Sequence, residues 1–137
     1  MTEAVGPSLA ATIDHVRVFH EAFGIANAER PTGAIGESDA RLRHELMREE
    51  NEEYLEAALR GDLVEVADAL GDMLYILCGT LLKHGLQHRI AEVFEEIQRS
   101  NMSKLDADGK PIYRADGKVM KSDRYTRPDI AAVLSRP

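Results

Sequence analysis

Apolar positions recur along most of this chain at intervals of three and four residues, and they predict four helices. Ile13, Val16, Phe19 and Phe23 follow that spacing, and Gly24 is placed to end the helix they define. Residues 1–8 read as a loose tail, and residues 25–38, with Pro31, Gly33 and Gly36, read as a loop. Ser38 is the predicted N-cap of a second helix that runs to about Arg60 and closes at Gly61. Asp62 caps a third helix, which continues to about His84 and stops at Gly85. A fourth spans roughly Arg89 to Asn101. The chain shows neither an internal repeat nor a low-complexity segment.

Beyond residue 104 the pattern changes. Asp-Gly occurs at 108–109 and again at 116–117, flanked by short alternating runs. This predicts a small β-hairpin, PIYR then KVMK, or an extended hooked loop. Pro128 opens a last short helix through Leu134. The expected fold is all-α: a four-helix bundle with a short C-terminal β-hairpin or extended appendage. At 137 residues a single domain is expected, with a helical core over about 9–104 and an appendage over 105–137.

The third predicted helix is unusual in its charge. From Val66 to Leu82 its only charged residues are Asp68 and Asp72, and apolar or small residues surround them on every side. A helix of that kind is expected to be central and buried. Glu65, Asp68 and Asp72 fall within about 60° of arc on it. The second helix carries Glu49, Glu50, Glu52, Glu53 and Glu56 within eight residues. Glu49 and Glu53 share a stripe with Leu42 and Leu46, so a row that begins apolar becomes acidic without leaving its face, which predicts inward carboxylates. Glu52 and Glu56 read instead as solvated, and a capping box with Asp62 accounts for Glu65 without a ligand.

Buried carboxylates must be protonated, paired or bound to metal, and few Lys or Arg lie on the neighbouring faces. Oxygen-only donors point to Mg²⁺, with Mn²⁺ the alternative. A di-iron bundle would need Glu-x-x-His on two helices, and none of His15, His20, His44, His84 and His88 has a Glu three residues before it.

Composition narrows the partners. A net charge of −7 argues against tracking the backbone of duplex nucleic acid, while leaving room for a phosphorylated small molecule bridged by metal. The single Cys78 excludes an internal disulfide and fits a reducing cytoplasm. The start, MTEAVGPSLA, lacks the basic and apolar regions of a signal peptide, and Asp68 and Asp72 interrupt the longest apolar stretch, so no membrane association is expected. Arg99, Asn101 and Lys104 cluster at the end of the fourth helix and are candidates to contact phosphate or sugar. Lys110, Lys118, Lys121 and Arg124 follow them in the tail. Phe19 and His20 are candidates to flank a base.

Taken together, the EE-x-x-E of Glu49, Glu50 and Glu53, the run EVADALGDMLY, FHEAFG at 19–24 and RSNMSKLDADGKPI at 99–112 resemble the MazG-like all-α nucleoside triphosphate pyrophosphohydrolases. These are related to phosphoribosyl-ATP pyrophosphohydrolase and to the dimeric all-α dUTPases. The resemblance covers most of the chain. It implies Mg²⁺-dependent water attack at the α-phosphorus of a nucleoside or deoxynucleoside triphosphate, releasing monophosphate and pyrophosphate. It also implies a homodimer or homotetramer. Glu50 would be the general base, and Glu49, Glu50, Glu53, Asp68 and Asp72 would hold metal, with Glu65 a further candidate. The family's second motif is Glu-x-x-Asp; Asp72 matches its Asp, but Ala69 stands three residues before it. Either Asp68 replaces the missing carboxylate, or Glu65 and Asp68 form the pair themselves. The alternatives in function are a phosphoribosyl-ATP pyrophosphohydrolase and a non-catalytic helical protein that binds a nucleotide or a partner helix.

Overall fold

A computed structural model describes residue 6 and residues 8–137. The tail expected over 1–8 lies largely outside them. Five helices and one two-stranded sheet are present among the described residues: α1 (Leu9–Ala22), α2 (Glu37–Arg60), α3 (Leu63–Lys83), α4 (Ile90–Met102), β1 (Ile112–Tyr113), β2 (Val119–Met120) and α5 (Ile130–Leu134). The chain divides into two compact units, the first ending at His88 and the second running from Arg89 to Pro137.

In the first unit α3 packs against both α1 and α2. Ser8 caps α1, its Oγ accepting from Ala11 N at 3.2 Å. Ile13 and Val16 are buried, as their spacing predicts, whereas Phe19 and Phe23 further along are exposed. α2 begins earlier than its sequence suggests. Ala40 N donates to Gly36 O at 3.0 Å, so Gly36 is the N-cap and Ser38 lies inside the first turn. Gly61 ends α2 as expected, and Asp62 caps α3 by accepting from Glu65 N at 3.2 Å. Asp62 N donates to Ala57 O rather than to the Glu65 side chain, so only half of a capping box forms.

The loop between α1 and α2 is tied to the end of α3. Ala28 N donates to Leu82 O at 3.0 Å, Thr32 N to His84 O at 2.8 Å, and Lys83 Nζ to Ala26 O at 2.8 Å. Gly85 makes this possible: a Cβ there would lie 2.1 Å from Arg30 O, on a backbone with φ +68°.

One expectation fails. α3 is central to its unit but not buried on all sides. Leu63 and Val64 are 79% and 74% exposed, and Leu70, Leu74 and Leu77 are close to half exposed. Leu63, Leu70, Leu74 and Leu77 share one stripe of α3. Two neighbouring helices cover only part of a helix that is apolar all round.

The second unit holds α4, the hairpin and α5. The division therefore falls before α4, not after residue 104. Hydrogen bonds supply the reason. Arg99 Nη1 donates to Thr126 Oγ1 at 2.7 Å, Ser100 Oγ to Thr126 O at 2.9 Å, and Asp129 N to Glu96 Oε2 at 2.7 Å. The strands pair antiparallel, Ile112 with Met120 and Tyr113 with Val119, around the turn at 116–117. In that turn Lys118 N donates to Asp116 Oδ1 at 3.1 Å. α5 starts two residues later than Pro128, capped by Asp129, whose Oδ1 accepts from Ala132 N at 3.1 Å.

Candidate active site

The acidic row of α2 is real, but its phase differs from the sequence reading. Leu42, Glu49 and Glu53 are exposed; the inward line runs through Arg43, Met47, Glu50, Tyr54 and Ala57, four half-buried residues and one buried. The heptad-like spacing of that line is regular. It escapes a sequence reading because its members include a guanidinium and a carboxylate, where an apolar stripe is looked for.

Glu50 is therefore the carboxylate that α2 presses toward α3. Its Oε2 is buried and has no hydrogen-bond partner. Burial, a hydrogen bond with Glu53, and the charges of Asp72, Glu53 and Asp68 push its pKa up to about 7. Asp72 is also raised, through lost hydration and the charges of Asp68 and Glu53, although it remains open to solvent. Glu50, Glu53, Asp68 and Asp72 are thus mutual neighbours across the α2–α3 seam. Glu49 and Glu65 are exposed and act on neither Glu50 nor Asp72. Ala69, at the position of the missing carboxylate, is buried. The carboxylate that joins Asp72 beside Glu50 is Asp68, one turn before it.

Ion pairs elsewhere on α2 sharpen the contrast. Arg48 is held by Glu45 and by Glu52, the latter at 2.7 Å, and Arg41 by Glu37 at 2.9 Å. Among the described residues no Lys or Arg pairs with Glu49, Glu50, Glu53, Asp68 or Asp72. An unpaired, partly desolvated set of oxygen donors fits a hard divalent cation. The set is not a closed cage: no three His, Cys, Asp or Glu side chains among the described residues already converge on one point.

Aromatic residues stand on the same side of α3. Asp68, Asp72 and Tyr75 share one face by their spacing. Tyr75 meets the Phe19 ring edge-on at 5.5 Å, and Phe19 stacks on Phe23 at 4.4 Å. All three rings are substantially exposed. Phe19 was legible as a base-flanking candidate; Tyr75 and Phe23 were not singled out, although the i+7 step from Asp68 to Tyr75 carries the signal.

His20 does not join this cluster. It is 2% exposed, with Nδ1 donating to Asn27 Oδ1 at 2.6 Å and Nε2 lying over Gly79. Its ring ties α1 to the following loop and is closed to a stacking base. In the second unit, Arg99 is engaged with Glu96 at 2.7 Å and with Thr126 and Arg127 O, which leaves it little freedom to bind an anion. Asn101 is exposed and Lys104 half-buried.

The fold and the carboxylate cluster define an all-helical protein with an acidic centre between two packed helices. Within that class the chain matches the phosphoribosyl-ATP pyrophosphohydrolase family over residues 16–101, and it belongs to that family. The matched span includes α2, α3 and every carboxylate of the cluster. The family is one of hydrolases that release pyrophosphate from a nucleotide. No individual curated protein is similar enough to be matched to the chain. No helix among the described residues is long and apolar enough to cross a membrane.

Proposed function

We propose that this protein hydrolyses a nucleoside or deoxynucleoside triphosphate to the monophosphate and pyrophosphate, by attack of water at the α-phosphorus. The observation that carries the reading is Glu50: a carboxylate with a buried, partnerless oxygen, set among Glu53, Asp68 and Asp72, none of which is ion-paired with a Lys or Arg among the described residues. Glu50, Glu53, Asp68 and Asp72 would hold Mg²⁺ or Mn²⁺, with Glu49 and Glu65 further out. A bound dication supplies polarisation of the phosphate oxygens and acidification of a water. Glu50, the carboxylate that α2 turns furthest toward α3, would take the proton of the attacking water. Phe19, Phe23 and Tyr75 offer ring faces and edges to a nucleobase.

Phosphoribosyl-ATP is the second reading of the substrate, favoured by the family's own description. Both substrates yield pyrophosphate, so a panel of canonical and damaged nucleoside triphosphates and phosphoribosyl-ATP, assayed with Mg²⁺ and with EDTA, decides between them. Equal amounts of monophosphate and pyrophosphate, abolished by EDTA and restored by Mg²⁺ or Mn²⁺, are expected. Diphosphate plus orthophosphate would place attack at the γ-phosphorus and refute the mechanism; nucleotide binding without turnover would leave a non-catalytic binder.

The leucine stripe of α3 supports self-association. Leu63, Leu70, Leu74 and Leu77 leave a row of apolar side chains close to half exposed or more along one helix face, the kind of surface a second copy would cover. A homodimer or homotetramer is expected by light scattering at micromolar concentration. A monomer there would refute it.

A further inference from the structure

A further cavity of the first unit is lined by none of the clustered carboxylates. It is a groove of about 630 Å³ along the α2–α3 seam. Arg43, His44, Met47 and Asn51 of α2 form one wall, and Met73 and His84 of α3 form the other. Glu49 and Glu53 lie roughly 140–180° around α2 from His44 and Asn51, while Glu50 shares the inward line of Arg43 and Met47 but does not line the groove. α2 carries eight acidic residues, yet none lines the groove, and its charged lining residues are the basic Arg43 and Arg48 together with His44.

Arg43 is the centre of this groove. Its Nε donates to Thr80 Oγ1 and its Nη2 to Ile76 O, each at 3.0 Å. Both acceptors are neutral. Among the described residues no carboxylate pairs with it, and Asp39, one turn earlier, is paired with Lys83 at 3.3 Å. Gly79 clears the space the guanidinium occupies, since a Cβ there would stand 2.6 Å from Nη2. The guanidinium is therefore fixed in place and partly desolvated, hydrogen-bonded to neutral acceptors and touched by Asp39 only through its charge, which leaves it able to take up an anion. His84 Nδ1 donates to Thr32 O at 2.8 Å, which orients that ring on the wall. Two methionines and two imidazoles give the groove flat and polarisable surfaces suited to a planar heterocycle, and its volume lies in the range of small-molecule sites.

We propose that this groove is a second ligand site, for a nucleoside monophosphate: the phosphate meets Arg43 and His44, and the base lies between Met47, Met73 and His84. The site stands on its own geometry and requires no catalytic turnover.

The test is calorimetric titration of the full chain with AMP, inorganic phosphate and adenosine in EDTA, where the ion-free carboxylate cluster repels anions. Saturable binding of one AMP per chain is expected, with phosphate competing and adenosine alone binding more weakly. His44→Glu changes an exposed wall residue and should weaken AMP at least ~10-fold, the scale of a lost charged contact replaced by repulsion. Arg43→Lys should weaken it similarly, and Arg41→Gln, outside the groove, should leave it unchanged. Circular dichroism checks the fold of the Arg43 variant; if that variant unfolds, His44→Glu alone decides. Absence of AMP saturation by ~10 mM, the weak limit of useful affinity, would overturn the proposal. So would equal affinity in His44→Glu. If wild type binds no AMP and His44→Glu instead dissociates an oligomer in light scattering, a second copy fills the groove and the proposal fails.

Discussion

Replacing Glu50 by Gln should stabilise the ion-free protein, and only above the ordinary carboxyl range. The Glu50 carboxyl moves from an ordinary value of 4.5 to about 7 on folding, from burial and from Glu53, Asp72 and Asp68. For an acid whose folded value is raised, the sign runs against stability at high pH. Below about 4.5 both states are protonated and nothing is lost. Between 4.5 and 7 the unfolded chain ionises while the folded one holds its proton, and stability falls. Above 7 the whole penalty persists. At about 1.4 kcal/mol per pH unit the rise is worth at most about 3 kcal/mol. Glu50 is only half-buried, so solvent screening reduces this to about 1–2 kcal/mol. For a chain of this size that is a melting shift of roughly 3–8 °C. The assay is thermal unfolding in EDTA of wild type and Glu50→Gln, at pH 5 and pH 8. The variant should melt higher at pH 8 and nearly level with wild type at pH 5. Added Mg²⁺ should then raise the wild type more than the variant, because binding to the folded state stabilises by mass action. The same difference at both pH values would refute the reasoning, since a change of packing has no such titration.

Three further outcomes follow from named contacts. Glu53→Gln and Asp72→Asn should each cost at least ~100-fold in rate of pyrophosphate release, the scale of a lost metal ligand, while Glu52→Gln, whose wild-type carboxylate is paired with Arg48 on the surface, should change little. Gly79→Ala places a Cβ 2.6 Å from Arg43 Nη2 and 2.9 Å from His20 Nε2; denaturant titration should show a loss of about 1–3 kcal/mol, the range for an overpacked interior. Glu96 is held down to about 2 by hydrogen bonds from Arg99 and Asp129 N, so its stabilisation is complete above about 4.5 and lost as pH falls through about 2. Acid titration followed by circular dichroism should show that Glu96→Gln loses this dependence between pH 4.5 and 2; an unchanged acid limb would count against the pairing.

Helix ends were legible where one residue performs one local task. Gly61 and Asp62 terminate and cap adjacent helices, and both act as their types predict. Ser38 misled because a good capping residue stands two positions inside a helix that Gly36 already begins. The hairpin was legible from Asp-Gly because Asp116 and Gly117 settle that turn locally. The boundary between the units was not, because it rests on Arg99, Ser100 and Ser103 reaching residues more than twenty positions away. Such pairings leave no periodic trace. The exposure of α3 escaped for a related reason: apolar residues on every side show that a helix seeks cover, and say nothing of whether its own chain supplies it.

The candidate site shows the same division more sharply. The sequence locates the acidic residues but misphases α2, because the Leu42/Leu46 row suggests an inward face and Leu42 is in fact exposed. The structure turns α2 so that Arg43 and Glu50 face α3, two turns apart on one line, and each meets a different fate. Arg43 finds neutral acceptors in Thr80 and Ile76 O. Glu50 finds none for Oε2 and meets more carboxylates instead. Two turns is about 11 Å along a helix, and neither residue figures among the charges that shift the other. Neither residue can therefore neutralise the other. Arg41 and Arg48 are occupied by Glu37, Glu45 and Glu52. α2 thus places its helix-stabilising ion pairs on the residues that flank the seam, leaving on the inward line a carboxylate with no ion pair and, two turns away, a guanidinium held by neutral acceptors. A helix shaped only for stability would pair them. That spacing along one line is what a cation-dependent site around Glu50 and an anion site around Arg43 would require.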